Sequence, residues 1–198
     1  EVEVDLLRRL PAVSIVGLPA SAVRESSERV RSAIEACGVD FPRKRVVVNL
    51  APADLRKEGT ALDLPTALGI LAADELVPRE RLEGVLAAGE LSLGGELRPV
   101  RGGLSLSLLA RSLGRTLLVP AESAEVASLV PDVEVVALER LEDAVEWLRG
   151  SYVPPELVAP PVAPSVEGLD LRDVRGQGLA RRALEVCAVG AHHLFLLG

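Results

Sequence analysis

Five prolines (Pro154, Pro155, Pro160, Pro161 and Pro164) fall within the twelve residues from Val153 to Pro164. Proline locks φ and carries no backbone N–H, so a stretch this dense in it can be neither a helix nor an inner strand. It reads as a stiff, extended connector. The chain is thereby divided into a first domain over 1–152, a linker over 153–165 and the beginning of something else over 166–198. The whole chain has 198 residues, and a body of that size buries roughly 70% of the surface its unfolded chain exposes.

The core has to be aliphatic, because the aromatics are Phe41, Trp147, Tyr152 and Phe195 alone. Periodicity then sets the elements. Glu1 to Leu6 alternates polar and apolar residues, as a half-buried strand does, and Val13 to Val16 is a second short strand. Ser21 is placed to cap a helix that buries Val23, Val30, Ile34 and Cys37 and ends at Gly38. The β-branched run Arg45 to Leu50 predicts a buried strand. Asp63 is placed to cap a second helix over Leu64 to Ala73, apolar nearly all round and hence central, with Pro65 in its first turn. Val85 to Leu93 and Glu96 to Val100 flank Gly94 and Gly95, a hairpin signal. Gly103 to Leu113 predicts a helix closed by Gly114. Thr116 to Val119, Ser123 to Leu129 and Val133 to Ala137 read as a β-α-β unit, and Leu141 to Leu148 as a last helix. The expected class is α/β (α+β), mixing parallel and antiparallel strands.

No run approaches the ~20 apolar residues needed to span a bilayer, and the acidic start (Glu1, Glu3, Asp5) is unlike a secretory leader. Cys37 and Cys187 are too few for a disulfide framework or a Cys-built zinc cluster, which fits a reducing, cytoplasmic setting. The chain has no methionine, as expected of a fragment. Net charge is −7, so the surface as a whole does not attract nucleic acid or anionic membrane. The sign is uneven, however. Residues 24–58 carry +2 (eight cations, six carboxylates) and residues 60–150 carry −7 (eight against fifteen). The basic excess centres on Arg43, Lys44 and Arg45 and on Arg56 and Lys57, two clusters that flank one strand and are candidate contacts to nucleic-acid phosphates.

Asp54, Glu58 and Asp63 invite a metal-site reading, but a helix start and a loop account for them, and no metal is expected. His192 and His193 have no further histidine to complete a site and are read as structural, and Cys37 and Cys187 as core. Near the end, Asp173-Val174-Arg175-Gly176-Gln177 opens a helix to Val189, and Leu194 to Leu197 predicts a strand running into Gly198. Strand-then-glycine is how a phosphate-binding loop begins.

Several segments together resemble one family: Ile15-Val16-Gly17-Leu18-Pro19, Ala22-Val23-Arg24-Glu25-Ser26, Val48-Asn49-Leu50-Ala51-Pro52-Ala53-Asp54, Asp63-Leu64-Pro65, Gly89-Glu90-Leu91-Ser92-Leu93 and Leu97-Arg98-Pro99-Val100-Arg101-Gly102. The chain resembles the amino-terminal part of ComM/YifB-type proteins, the magnesium-chelatase-like AAA+ ATPases. The resemblance implies a first domain like the proteolytic domain of Lon, followed by an AAA+ motor. It further implies a homo-hexamer that uses ATP and Mg²⁺, acts on DNA as a branch-migration helicase in natural transformation, and has no membrane partner. It implies that Val174, Arg175, Gly176 and Gln177 lie at the adenine and Gly198 at the phosphates.

Lon-type peptidases carry a serine nucleophile in a Gly-Pro-Ser-Ala-Gly-like turn and a lysine base. Here the matching turn is Gly59-Thr60-Ala61-Leu62-Asp63, and Ala61 takes the nucleophile's place. Around Gly102-Gly103-Leu104-Ser105, where the amine belongs, there is no lysine, nor anywhere after Lys57. Arginine cannot stand in, because it does not give up its proton. Losing the nucleophile alone costs about 10⁶-fold in rate. A substitute dyad of Thr60 and Lys57 needs a desolvated amine, and Lys57 stands in a polar loop. No catalytic residue is therefore expected in this domain. Two other readings stand beside the DNA-acting one: a chelatase-type motor remodelling a protein partner for Mg²⁺ insertion, and a peptidase-related domain with residual activity.

Overall fold

The computed structural model describes residues 1–157 and 170–197. It resolves into two compact units, Glu1–Pro160 and Pro161–Gly198. The first is mixed α/β. Its first sheet has the order β1-β3-β2, from β1 (Val2–Leu7), β2 (Ala12–Val16) and β3 (Arg45–Leu50). β1 runs antiparallel to β3 with Leu7 opposite Arg45, and β2 runs parallel to it with Ala12 opposite the same Arg45. Between β2 and β3 comes α1 (Ser21–Ala36), which buries Val23, Val30, Ala33 and Ile34 as its 3.6-residue spacing demands.

Next come α2 (Asp63–Ala73), α3 (Arg79–Leu82), β4 (Val85–Ala87), β5 (Glu90–Leu91), β6 (Leu97–Arg98) and α4 (Gly103–Leu113). The unit is completed by β7 (Thr116–Pro120), α5 (Ala121–Ala127), β8 (Val135–Leu138) and α6 (Leu141–Arg149). β4, β7 and β8 form a parallel sheet in the order β4-β7-β8, and β5 and β6 form an antiparallel hairpin. The parallel sheet separates two apolar clusters. Leu118 and Val136 of β7 and β8 face the larger one with Leu64, Leu68 and Ile34, while Leu117, Val119 and Ala137 face a smaller one with Ala110, Ala124 and Ala127. Tyr152 donates its hydroxyl to the Ala137 carbonyl at 3.1 Å, and Leu157 packs on the smaller cluster. α2 is buried on nearly every side, as its composition requires.

Five expectations are corrected. Ser21 lies inside α1, whose cap position is Ala20 with no side-chain bond. Asp63 does not cap α2: Leu62 stands at that position, and the Asp63 carboxylate turns to a distant partner. The strand expected over Val85 to Leu93 is two, because Gly89 spends its backbone groups elsewhere. Its N–H donates to the Ala61 carbonyl and its carbonyl accepts from Leu64, both at 3.0 Å, which takes it out of the ladder. The hairpin about Gly94 and Gly95 does form, closed by Ser92 and Glu96 backbone bonding at 2.9 Å.

The second unit holds a 3-10 turn, Leu171–Asp173, and α7 (Gly178–Gly190). Leu194 to Leu197 is not a strand, the fourth correction: a lone segment without a neighbour has nothing to pair its backbone with. The fifth correction concerns the cysteines: Cys37, which follows the last residue of α1, and Cys187 are both half-buried rather than core, and His192 and His193 are exposed just past α7. Among the described residues no helix is long and apolar enough to cross a membrane.

Candidate functional site

Position 61 lies in the turn that leads into α2. Its methyl packs on the smaller cluster, and its carbonyl accepts the Gly89 N–H. The hydroxyl next to it, on Thr60, donates to the Glu90 carboxylate, and Glu90 pairs with Arg98 at 3.4 Å. Lys57 donates its ammonium to the Pro52 carbonyl, and Lys44 is paired with Asp74 at 2.8 Å. Neither lysine is hydrogen-bonded to a hydroxyl among the described residues.

One step along, Asp63 is 1% exposed and is gripped by Arg29 of α1, which is 21% exposed. Arg29 Nε donates to Oδ2 at 2.8 Å and Nη2 to Oδ1 at 3.1 Å, a two-pronged geometry, and the Leu91 N–H adds a third donor at 3.3 Å. Burial pushes the Asp63 carboxyl above the usual carboxylate range, and Arg29 and the Leu91 N–H hold the rise in check. The same bond raises the Arg29 guanidinium above its ordinary value. Chemically this is a clamp joining α1, α2 and the hairpin. Asp54 and Glu58 are exposed, Glu58 pairing with Arg56 at 3.2 Å, so they do not converge with Asp63. Arg29 is the residue the sequence reading missed. It sat among the charged positions of α1, and the available signal was a lone carboxylate heading an otherwise apolar helix.

The two basic clusters are not brought together. Arg43, Lys44 and Arg45 lie at the start of β3, whereas Arg56 and Lys57 follow its far end, one six-residue strand away. That is roughly 16 Å. Lys57 is held there by backbone bonds to Leu18 and Ala20, at 3.2 and 3.0 Å.

In the second unit, Gly176 and Gln177 have positive φ of 72° and 48°, turning the backbone sharply before α7. Arg181 reaches back from α7 to the Val174 carbonyl at 3.4 Å, and its Nε is buried without a hydrogen-bond partner among the described residues. Gly198 lies outside the described residues.

A family model for subunit ChlI of Mg-chelatase matches residues 2–123, and one for magnesium chelatase, subunit ChlI, matches residues 170–198. The chain is 41% identical over 203 residues to the competence protein ComM of Haemophilus influenzae, covering 100% of this chain and 40% of that protein. It is 40% identical over 197 residues to the uncharacterized protein YifB of Salmonella typhimurium, covering 100% and 39%. An uncharacterized protein of Mycobacterium tuberculosis is 43% identical over 199 residues, covering 100% and 40%. The chain spans about 40% of the length of these relatives. With one family model over most of the first unit and another over the second, the chain belongs to the ComM/YifB family of magnesium-chelatase-like proteins.

Proposed function

We propose that this chain is the non-catalytic amino-terminal part of an AAA+ ATPase that acts on DNA, and that its first unit is a Lon-like fold kept as a scaffold. The observation that carries the scaffold reading is position 61. Where a peptidase of that fold has its nucleophile, there is a methyl group, and both lysines are bound to other partners. The DNA-acting part is favoured by the likeness to a protein named for competence. The whole protein would assemble as a homo-hexamer. ATP would lie against Val174, Arg175, Gly176 and Gln177, with its phosphates and Mg²⁺ beyond Gly198, where a phosphate loop and its lysine would follow. This chain by itself would turn over no ATP.

The test is ATP turnover by the whole protein with and without forked DNA. Stimulation by DNA is the expected result. Turnover indifferent to DNA but stimulated by a protein partner would favour a chelatase-type motor. Casein cleavage by the isolated chain would overturn the scaffold reading.

A further inference from the structure

In the order β1-β3-β2, the strands β1 and β2 are consecutive in sequence yet lie on either side of β3. They are about 10 Å apart, two strand spacings. The connector between them, residues 8–11, must cross the end of the sheet where β3 begins. The register fixes the meeting point, since Leu7 and Ala12 both stand opposite Arg45. Arg8 and Arg9 are therefore laid beside Arg43 and Arg45, residues 34 or more apart in sequence. Arg8, Arg9 and Arg43 are exposed and Arg45 is half-buried. None of the four has an ion-pair partner among the described residues. Lys44, between two of them, already neutralises Asp74, and the exposed carboxylates nearest in sequence are Asp5, on β1 opposite Val47, and Asp40, each three residues from the nearest of the four. Arg45 Nε is buried with no hydrogen-bond partner among the described residues. Four guanidinium groups without an ion-pair partner among the described residues, against the two carboxylates Asp5 and Asp40, are a local reversal of sign in a chain of net charge −7.

We propose that this sheet end, formed by Arg8, Arg9, Arg43 and Arg45, binds the phosphodiester backbone of nucleic acid. The proposal rests on the DNA-acting reading above. Guanidinium forks match phosphate oxygens two at a time. Recognition is of the backbone and not of the bases. The one aromatic at this edge, Phe41, is buried, with Arg31 stacked 4.4 Å over its ring, so no base can stack on it. Arg56 and Lys57, at the other end of β3, take no part.

The experiment is fluorescence anisotropy of a labelled forked DNA against the whole protein across a series of NaCl concentrations. It compares the unsubstituted protein with R8A/R9A/R43A and with R56A/K57A as the control. Arg8, Arg9 and Arg43 are exposed, so DNA-free ATP turnover should be unchanged and reports an intact fold. For the triple variant the slope of log affinity against log salt should shrink by about 2.7, three contacts at about 0.9 each. Affinity should also fall on the order of tenfold or more at low salt, while the control keeps its slope. DNA binding by the unsubstituted protein with an unchanged slope in R8A/R9A/R43A overturns this proposal and leaves the DNA-acting reading standing. No DNA binding by the unsubstituted protein overturns both.

Discussion

Arg29 and Asp63, 34 residues apart in sequence, meet through two hydrogen bonds of 2.8 and 3.1 Å and tie α1 to the first turn of α2. Asp63 is among the most deeply buried charged groups of the described residues, and the pair stands next to the turn that holds Ala61. Removing one partner from such a pair leaves a buried charge uncompensated.

R29M should therefore lower stability by about 3 kcal/mol in urea unfolding, the lower end of the range because Arg29 is partly exposed. The loss should depend on pH. The Asp63 carboxyl is already raised by burial, and without Arg29 it rises further. A raised carboxyl binds more protons folded than unfolded, so it costs stability as pH climbs through and above the carboxylate range. The deficit of R29M should be larger at pH 8 than at pH 4.5; an equal deficit at both would mean that Asp63 is not the group left unpaired.

Gly17 follows β2 with φ of 96°, and a Cβ there would stand 2.2 Å from the Leu50 carbonyl oxygen. That contact is with backbone, which cannot step aside as a side chain can. G17A should cost about 3 kcal/mol or yield insoluble protein. Thermal unfolding within a degree of the unsubstituted chain would contradict the close approach of β2 to β3.

Serine restored at position 61 should restore no peptidase. A61S supplies a hydroxyl, but Lys57 stays on the Pro52 carbonyl and Lys44 on Asp74. The variant should not be labelled by a fluorophosphonate probe and should leave casein intact, since a serine without a base is a poor nucleophile.

Burial, with Glu142 adding to it, pushes the Cys37 thiol up to about 11. At pH 8 its thiolate fraction is then on the order of a hundredfold below that of a free cysteine. Iodoacetamide labelling of the folded chain, read residue by residue in a mass spectrometer, should find Cys37 slow by a similar factor and fast once urea is added.

Most of the order of strands and helices was legible because those elements carry their own period, whereas α3, a single turn of four residues, is too short to show one. The alternation in Glu1 to Leu6, the 3.6-residue spacing of Val23, Val30 and Ile34, and the glycine pair at 94 and 95 are all local patterns. What was not legible is what two distant segments do to each other. Aspartate at a helix start has a ready local role in capping, and nothing near Asp63 in sequence tells of Arg29 across the fold. Gly89 looks like one residue of a long strand until Ala61 and Leu64 claim its backbone. Likewise, the sequence displays Arg43 to Arg45 and Arg56 to Lys57 as equals around one strand. Only the sheet order shows that the first cluster is joined by Arg8 and Arg9, while the second is left a strand's length away.

β7 is apolar on both sides, Leu118 toward one cluster and Leu117 and Val119 toward the other. Sliding such a strand by one position against β8 would swap one oily surface for another, so solvent aversion cannot choose between the two alignments. The choice falls to the tethers at either end: the left-handed Gly114 that delivers the chain from α4, and Pro120, from which α5 departs without a spacer. The middle of this molecule is thus aligned from its margins, and lengthening either tether is the surest way to let it slip out of step.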